Sequence, residues 1–184
     1  MMDTMEKTKI TPEEYKRLKA EVIDKIVVAR VGLLLRHPFF GNMATRLQIK
    51  ECDEWCPTAA TDGRNLFYNV DFFSKLSNKE IEFVIAHEIL HCVFDHMTRR
   101  EDRDPQLHNI ACDYIVNNTL CRDNIGEKPK DIQIFQDWKY DGWTSEAVYD
   151  DIYKKGKEKM EQLVKLLDDV SYTHLRAHET CTNL

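Results

Sequence analysis

Two histidines four positions apart, with a glutamate beside the first, stand in the stretch "FVIAHEILHCVFDH" from Phe83 to His96. On a helix, residues four apart lie about 40° from each other around the axis and one turn along it. His87 and His91 therefore project from one face, and their ring nitrogens can sit about 2.0–2.1 Å from a single zinc ion. Glu88 is offset to the side, where its carboxylate reaches a water on that ion rather than the ion itself. That geometry suits a general base acting on metal-activated water, and H-E-x-x-H on a helix is a zinc-hydrolase signature. The competing reading is an amphipathic helix that happens to carry histidines. Against it, Phe83, Val84, Ile89, Leu90, Val93 and Phe94 make the helix apolar over most of its circumference. Three polar side chains in such surroundings need partners, and a metal supplies them.

A catalytic zinc usually takes three protein ligands and leaves a fourth position for water. Candidates for the third ligand are Asp95, His96, His108 and Asp113. Asp95 stays on the face of His91, but a straight helix carries it about 12 Å along the axis from His87. His96 lies about 140° around from His91 and points away unless the helix breaks after Phe94, where no glycine stands. A three-histidine centre using His96 is the rival arrangement, one residue short of the H-x3-H-x5-H spacing of an endoribonuclease pattern. Asp113 fits better. In "HNIACDYIVNNTL", Asn109, Asp113 and Asn117 form a polar stripe at four-residue spacing, while Ile110, Tyr114, Ile115 and Val116 cover much of the rest. The stripe faces either solvent or a buried polar site. In the second case a helix returning across the first completes a two-histidine-plus-carboxylate set. Asn109 and Asn117 would then orient ligands or hold substrate. His96, His108 and Tyr114 are candidate donors to a developing oxyanion.

The elements that must position these residues are signposted locally. Thr11, Pro12 and Glu14 open a helix that carries Leu18, Val22, Ile26, Ala29, Leu33 and Leu34, and "RHPFFG" ends it. The dense apolar second half predicts burial on more than one side. From Met43 to Asn69, "ATRLQIKE" and "RNLFYN" alternate roughly with period two around the turn residues "TDG", which predicts a small antiparallel sheet. Ser77 and Glu80 cap a helix from about Asn78 to Met97, and "TRREDRD" is a solvated link. Asp104 and Pro105 start a third helix reaching about Cys121. "NIGEKPKD" is a loop, and "IQIFQDWKYDGW" has no assignable pattern. Thr144 or Ser145 caps a short helix through Tyr153, and "KEKMEQLVKLLDDV" forms a last amphipathic one. The fold class is α+β, mainly helical.

Composition narrows the function classes. A chain of 184 residues, 42% hydrophobic and 10% aromatic, fits one folded domain. A net charge of -6 and pI near 5.7 argue against nucleic acid as a partner. "VVARVGLLL", interrupted by Arg30, falls short of the roughly 20 apolar residues of a membrane span. "MMDTMEKTKI" is not a secretory leader. Of six cysteines, Cys92, Cys112 and Cys121 fall in apolar helical patterns, and "CDEWC" lacks the second pair of a structural zinc site. Reduced thiols in a cytoplasmic protein, with no membrane partner, is the expectation.

The combination of "PTAATDGRNLFYN", "HEILHCVFDHMTRR" and "NIACDYIVNN" resembles the metallopeptidase domain found ahead of a von Willebrand factor A-like domain in bacterial and phage proteins. The resemblance spans about Thr11 to Tyr153 and implies a zincin-like fold. It places His87, His91 and Asp113 on zinc and Glu88 as catalytic base, with a peptide or protein as substrate. An edge strand within "TAATDGRNLFYN" would bind an extended peptide by strand addition. Such proteins are often encoded beside MoxR-type AAA+ ATPases, an implied partner. The alternative is a metal-stabilised scaffold without hydrolytic activity, acting with that ATPase and a von Willebrand-like domain. No von Willebrand-like domain follows here, so the domain is expected to span residues 1–170 and to be truncated. "SYTHLRAHETCTNL" resembles translated sequencing-adaptor read-through, and on that reading the His174 and His178 pair is set aside.

Overall fold

The computed structural model describes the backbone of residues 10–130 and 132–180; side chains beyond residue 162 lie outside the described residues, His174 and His178 among them. The first helix, α1 (Pro12–Arg36), starts as expected. Thr11 Oγ1 accepts from the Glu14 backbone, and the Glu14 carboxylate accepts from Thr11 N–H at 2.8 Å. Its core stripe is Val22, Ile26, Ala29 and Leu33. Burial on a second side does not occur. Ile23, Val27, Val31 and Leu35 remain exposed, Leu35 at 75%, because no described element packs on that face.

A helix absent from the sequence reading follows, α2 (Pro38–Arg46). Pro38 cannot continue α1 but serves well as a first helical residue. Gly41 lets α2 fold back on α1, since a Cβ there would stand 2.2 Å from Leu34 Cα. Residues 44–46, expected in a strand, therefore complete this helix, and Ala44 is buried.

The strands are β1 (Gln48–Glu51), β2 (Ala59–Thr61) and β3 (Asn65–Tyr68), in the order β1-β3-β2. The sheet is mixed rather than purely antiparallel. β1 runs parallel to β3 (Gln48 opposite Asn65), whereas β2 and β3 form an antiparallel hairpin (Thr61 opposite Leu66). The hairpin turn behaves as its residues predict. Asp62 Oδ1 accepts from the Arg64 and Asn65 backbones, and Gly63 takes φ +82°.

After the short α3 (Val70–Lys75), α4 (Asn78–Val93) opens with the expected Ser77–Glu80 box. It contributes more buried residues than any other described helix, with Ile81, Phe83, Val84, Ile85, Ala86, Ile89 and Leu90 in the core shared with α1 and the sheet. Its buried Glu82 carboxylate is bound by Arg36 and by Lys79. Next, α5 (Pro105–Arg122) is capped by the Asp104 side chain, as predicted. Residues 124–130 and 132–137 then return across α4. Gly126, at φ +66°, makes this possible, because a Cβ would lie 2.5 Å from Phe83 N. Glu127 N–H donates to the Lys79 carbonyl and Lys130 N–H to Glu80. One 3-10 turn at Trp138–Tyr140 precedes α6 (Ser145–Thr180). α6 is continuous where two helices were expected: an interior glycine such as Gly156 costs only about 1 kcal/mol, too little to break it. No described helix is long and apolar enough to cross a membrane.

Candidate metal centre

The ends of α4 and the middle of α5 bring three side chains to one point. His87 Nε2 and His91 Nε2 are 2.9 Å apart. Asp113 Oδ1 reaches across from α5, 3.5 Å from the His87 nitrogen and 3.2 Å from the His91 nitrogen. These are the residues the spacing on the two helices singles out, and among the described residues they are the one group of three metal-ligating side chains whose donor atoms lie within 4.8 Å of one another. A tetrahedral ion with bonds of about 2.0–2.2 Å holds its ligand atoms roughly 3.3–3.5 Å apart. The observed triangle is close to that, slightly tight between the imidazoles, and the two-nitrogen, one-oxygen donor set suits a divalent metal.

The surrounding hydrogen bonds favour ligand-ready imidazoles. Asn117 Nδ2 donates to the Phe135 carbonyl at 2.9 Å, which turns Asn117 Oδ1 toward His87 Nδ1 at 3.0 Å. His87 must then carry its proton on Nδ1, leaving the Nε2 lone pair facing the cluster. Asn117, on the polar stripe of α5, is thus hydrogen-bonded to His87. His91 Nδ1 meets His96 Nδ1 at 3.2 Å. Burial, aided by the nearby His91, pushes His96 down to about 3, so its neutral ring can accept the His91 Nδ1 proton and free His91 Nε2.

His96 was expected to point away. Instead α4 ends at Val93, and Asp95 adopts φ +55°, the left-handed conformation usually left to glycine. His96 N–H donates to the His91 carbonyl and Asp95 N–H to the Cys92 carbonyl, the paired bonds of a Schellman ending. Aspartate tolerates this backbone better than most residues, so no glycine was needed. Asp95 itself leaves the histidine face and accepts from Thr98. Replacing Asp95 by valine is expected to cost about 1–2 kcal/mol in urea unfolding and to loosen His96 from His91. The rival three-histidine centre is not assembled, since His96 meets the Nδ1 side of His91, away from His87.

The other candidates divide. His108 is buried, with Nε2 near the His96 carbonyl at 3.3 Å and no partner for Nδ1 among the described residues. It borders the site cavity, as do His96 and the exposed Asn109. Tyr114 packs instead against Phe135 and Tyr140, with ring centroids 5.7 and 4.9 Å away, and does not line the cavity. It sits one residue past Asp113, rotated off the polar stripe.

Two hollows flank the trio. The larger, about 420 Å³, is bounded by Thr58–Thr61, the ends of α4 and α5, and Arg100. The smaller, about 180 Å³, is walled by α3, α4, Pro129 and residues 132–135. Both touch His87, Glu88 and Asp113. The Glu88 side chain makes no hydrogen bond among the described residues and opens onto both.

Charge is distributed unevenly here. Burial lowers His87, but the Asp113 carboxylate and Glu88 outweigh it and hold the imidazole above 6.5. Burial tends to raise Asp113, yet its bonds to His87 and His91 bring it down to about 2. Burial raises Glu88 above its ordinary value, only partly countered by the two histidines. In metal-free protein the His87–Asp113 contact therefore stabilises above the Asp113 ordinary value of 3.8 and below 6.5, and fades as pH climbs through the raised histidine pKa. His96 works the opposite way, so the informative quantity is a difference. In chelator, the stability advantage of wild type over Asp113→Asn is expected to be larger near about pH 6 than near about pH 9, as thermal melts would show.

A family described as "putative metallopeptidase domain" matches residues 23–179. The chain belongs to this family. No curated protein and no solved structure matches the chain. The metallopeptidase-domain match takes in α4, α5 and every residue of the trio. The sequence reading missed the smaller hollow, because its wall comes from the unassigned "IQIFQDW" stretch. The alternation of Ile132 and Ile134 beside Phe135 was its one visible signal.

Proposed function

We propose that this domain is a zinc-dependent peptidase in which His87, His91 and Asp113 hold the metal and Glu88 is the catalytic base. The observation that carries the proposal is the convergence of two imidazole nitrogens and a carboxylate oxygen beside an unpaired glutamate in an open cleft. Bound there, zinc supplies charge that acidifies water and polarises a carbonyl.

The chain's own groups do the rest. Asp113 stays ionised, and Asn117 and His96 fix the two imidazoles so that their lone pairs converge. The Glu88 carboxylate accepts a proton from water as the water oxygen bonds to the peptide carbonyl carbon. It returns that proton to the amide nitrogen as the C–N bond breaks. An extended substrate can lie along β2, which pairs only with β3 among the described residues and whose Ala59, Ala60 and Thr61 line the cleft. His108 and His96 border the space where an oxyanion would develop. Zinc content of the purified protein, together with cleavage of casein and a peptide mixture, tests the reading. Bound zinc with no turnover on any peptide would overturn it in favour of a metal-stabilised scaffold.

A further inference from the structure

The two hollows beside the trio differ in chemistry. The larger carries Arg100 and buried histidines, whereas the smaller is walled mainly by Phe72, Phe83, Val84, Ile132, Ile134 and Phe135. Phe83 and Val84 are core residues of α4, one helical turn before His87 and Glu88. The opposite wall is fixed in place, since the Phe135 carbonyl accepts from Asn117, the same amide that orients His87. The oxygen and the nitrogen of the Asn117 amide are each already engaged in a hydrogen bond. Glu88 and Asp113 also line it, and no lysine or arginine is among its lining residues to favour an acidic side chain.

We infer that the smaller hollow is a specificity pocket for a bulky apolar side chain, such as leucine, methionine or phenylalanine, directly beside the scissile bond. The inference rests on the peptidase reading above and deepens it. Its volume of about 180 Å³ is the share of on the order of six waters, at roughly 30 Å³ each. Releasing those waters from apolar walls favours a side chain that fills the space. Because the pocket opens on the same Glu88 that faces the attacked bond, its occupant sits next to the reacting carbonyl.

Cleavage sites in a mixed synthetic peptide library, read by mass spectrometry, test this with zinc-loaded protein. The expected result is enrichment of Leu, Met and Phe over Gly, Ala and Asp by at least about tenfold at one position adjoining the cut bond. Val84→Phe, which fills the pocket, should lower the Leu-to-Ala cleavage ratio by about tenfold. Ile132→Glu, at the more exposed mouth, should do the same without touching the core. Cleavage with no apolar preference beside the bond, or with a preference indifferent to both variants, would overturn the pocket assignment and leave the peptidase reading standing. Absence of any cleavage would overturn the peptidase reading itself. The pocket is then judged by binding of N-acetyl-phenylalaninamide, followed by saturation-transfer NMR. Binding to wild type and Glu88→Gln, lost in Val84→Phe, supports it, and no binding to wild type overturns it.

Discussion

Glu88→Gln is expected to lower peptide turnover by about 10²–10⁴-fold, the usual contribution of a positioned acid–base group, while zinc content stays at the wild-type level. The substitution keeps the side chain's shape and removes only its ability to take up a proton. Glu88 makes no hydrogen bond among the described residues, so the change breaks no contact there. Burial already disfavours the Glu88 carboxylate, and a neutral amide relieves that penalty. Thermal stability should therefore hold or rise even as turnover collapses. Turnover rates, metal analysis and melts on the same preparations check the three parts. Wild-type turnover in the variant would remove Glu88 from the proposed chemistry.

Asp113→Ala should instead strip the metal. It removes the one proposed ligand that does not come from α4, leaving two imidazoles that α4 alone holds together. The expected loss of zinc affinity exceeds the roughly 10–100-fold seen when only an orienting neighbour is removed. The stabilisation that metal lends the fold, about 2.7 kcal/mol at a hundredfold excess over Kd, should vanish with it. Titration with a competing chelator and melts with and without zinc measure both. Full zinc retention would require another third ligand. His96 cannot serve through the present geometry, because its ring meets the far nitrogen of His91.

How much of this was readable beforehand depends on how local each feature is. His87, Glu88 and His91 need only the period of one helix, and that helix announced its start through Ser77 and Glu80. Asp113 lies on another helix, yet its stripe with Asn109 and Asn117 on an apolar background marked the face that meets His87 and His91, although Asn109 itself stays exposed. Asp62 and Gly63 likewise disclosed their hairpin. The parallel pairing of β1 with β3 was not legible, since it depends on where residues 52–58 carry the chain rather than on any residue within the strands. The return of His96 was hidden because the break is made by Asp95, a residue that adopts left-handed backbone less often than glycine. α2 was hidden behind a proline that ends one helix by beginning another.

The band on α1 from Ile23 to Leu35 that no described element covers lies apart from the site, for none of its exposed residues borders either hollow. Water is in contact with it at a free-energy penalty of about 25 cal/mol for each Å² of apolar area, and excluded salts such as sulfate raise that penalty. Salting-out should consequently set in early, and a phenyl resin should retain the chain strongly. Whatever adsorbs along that band, detergent included, leaves the route to Glu88 unobstructed.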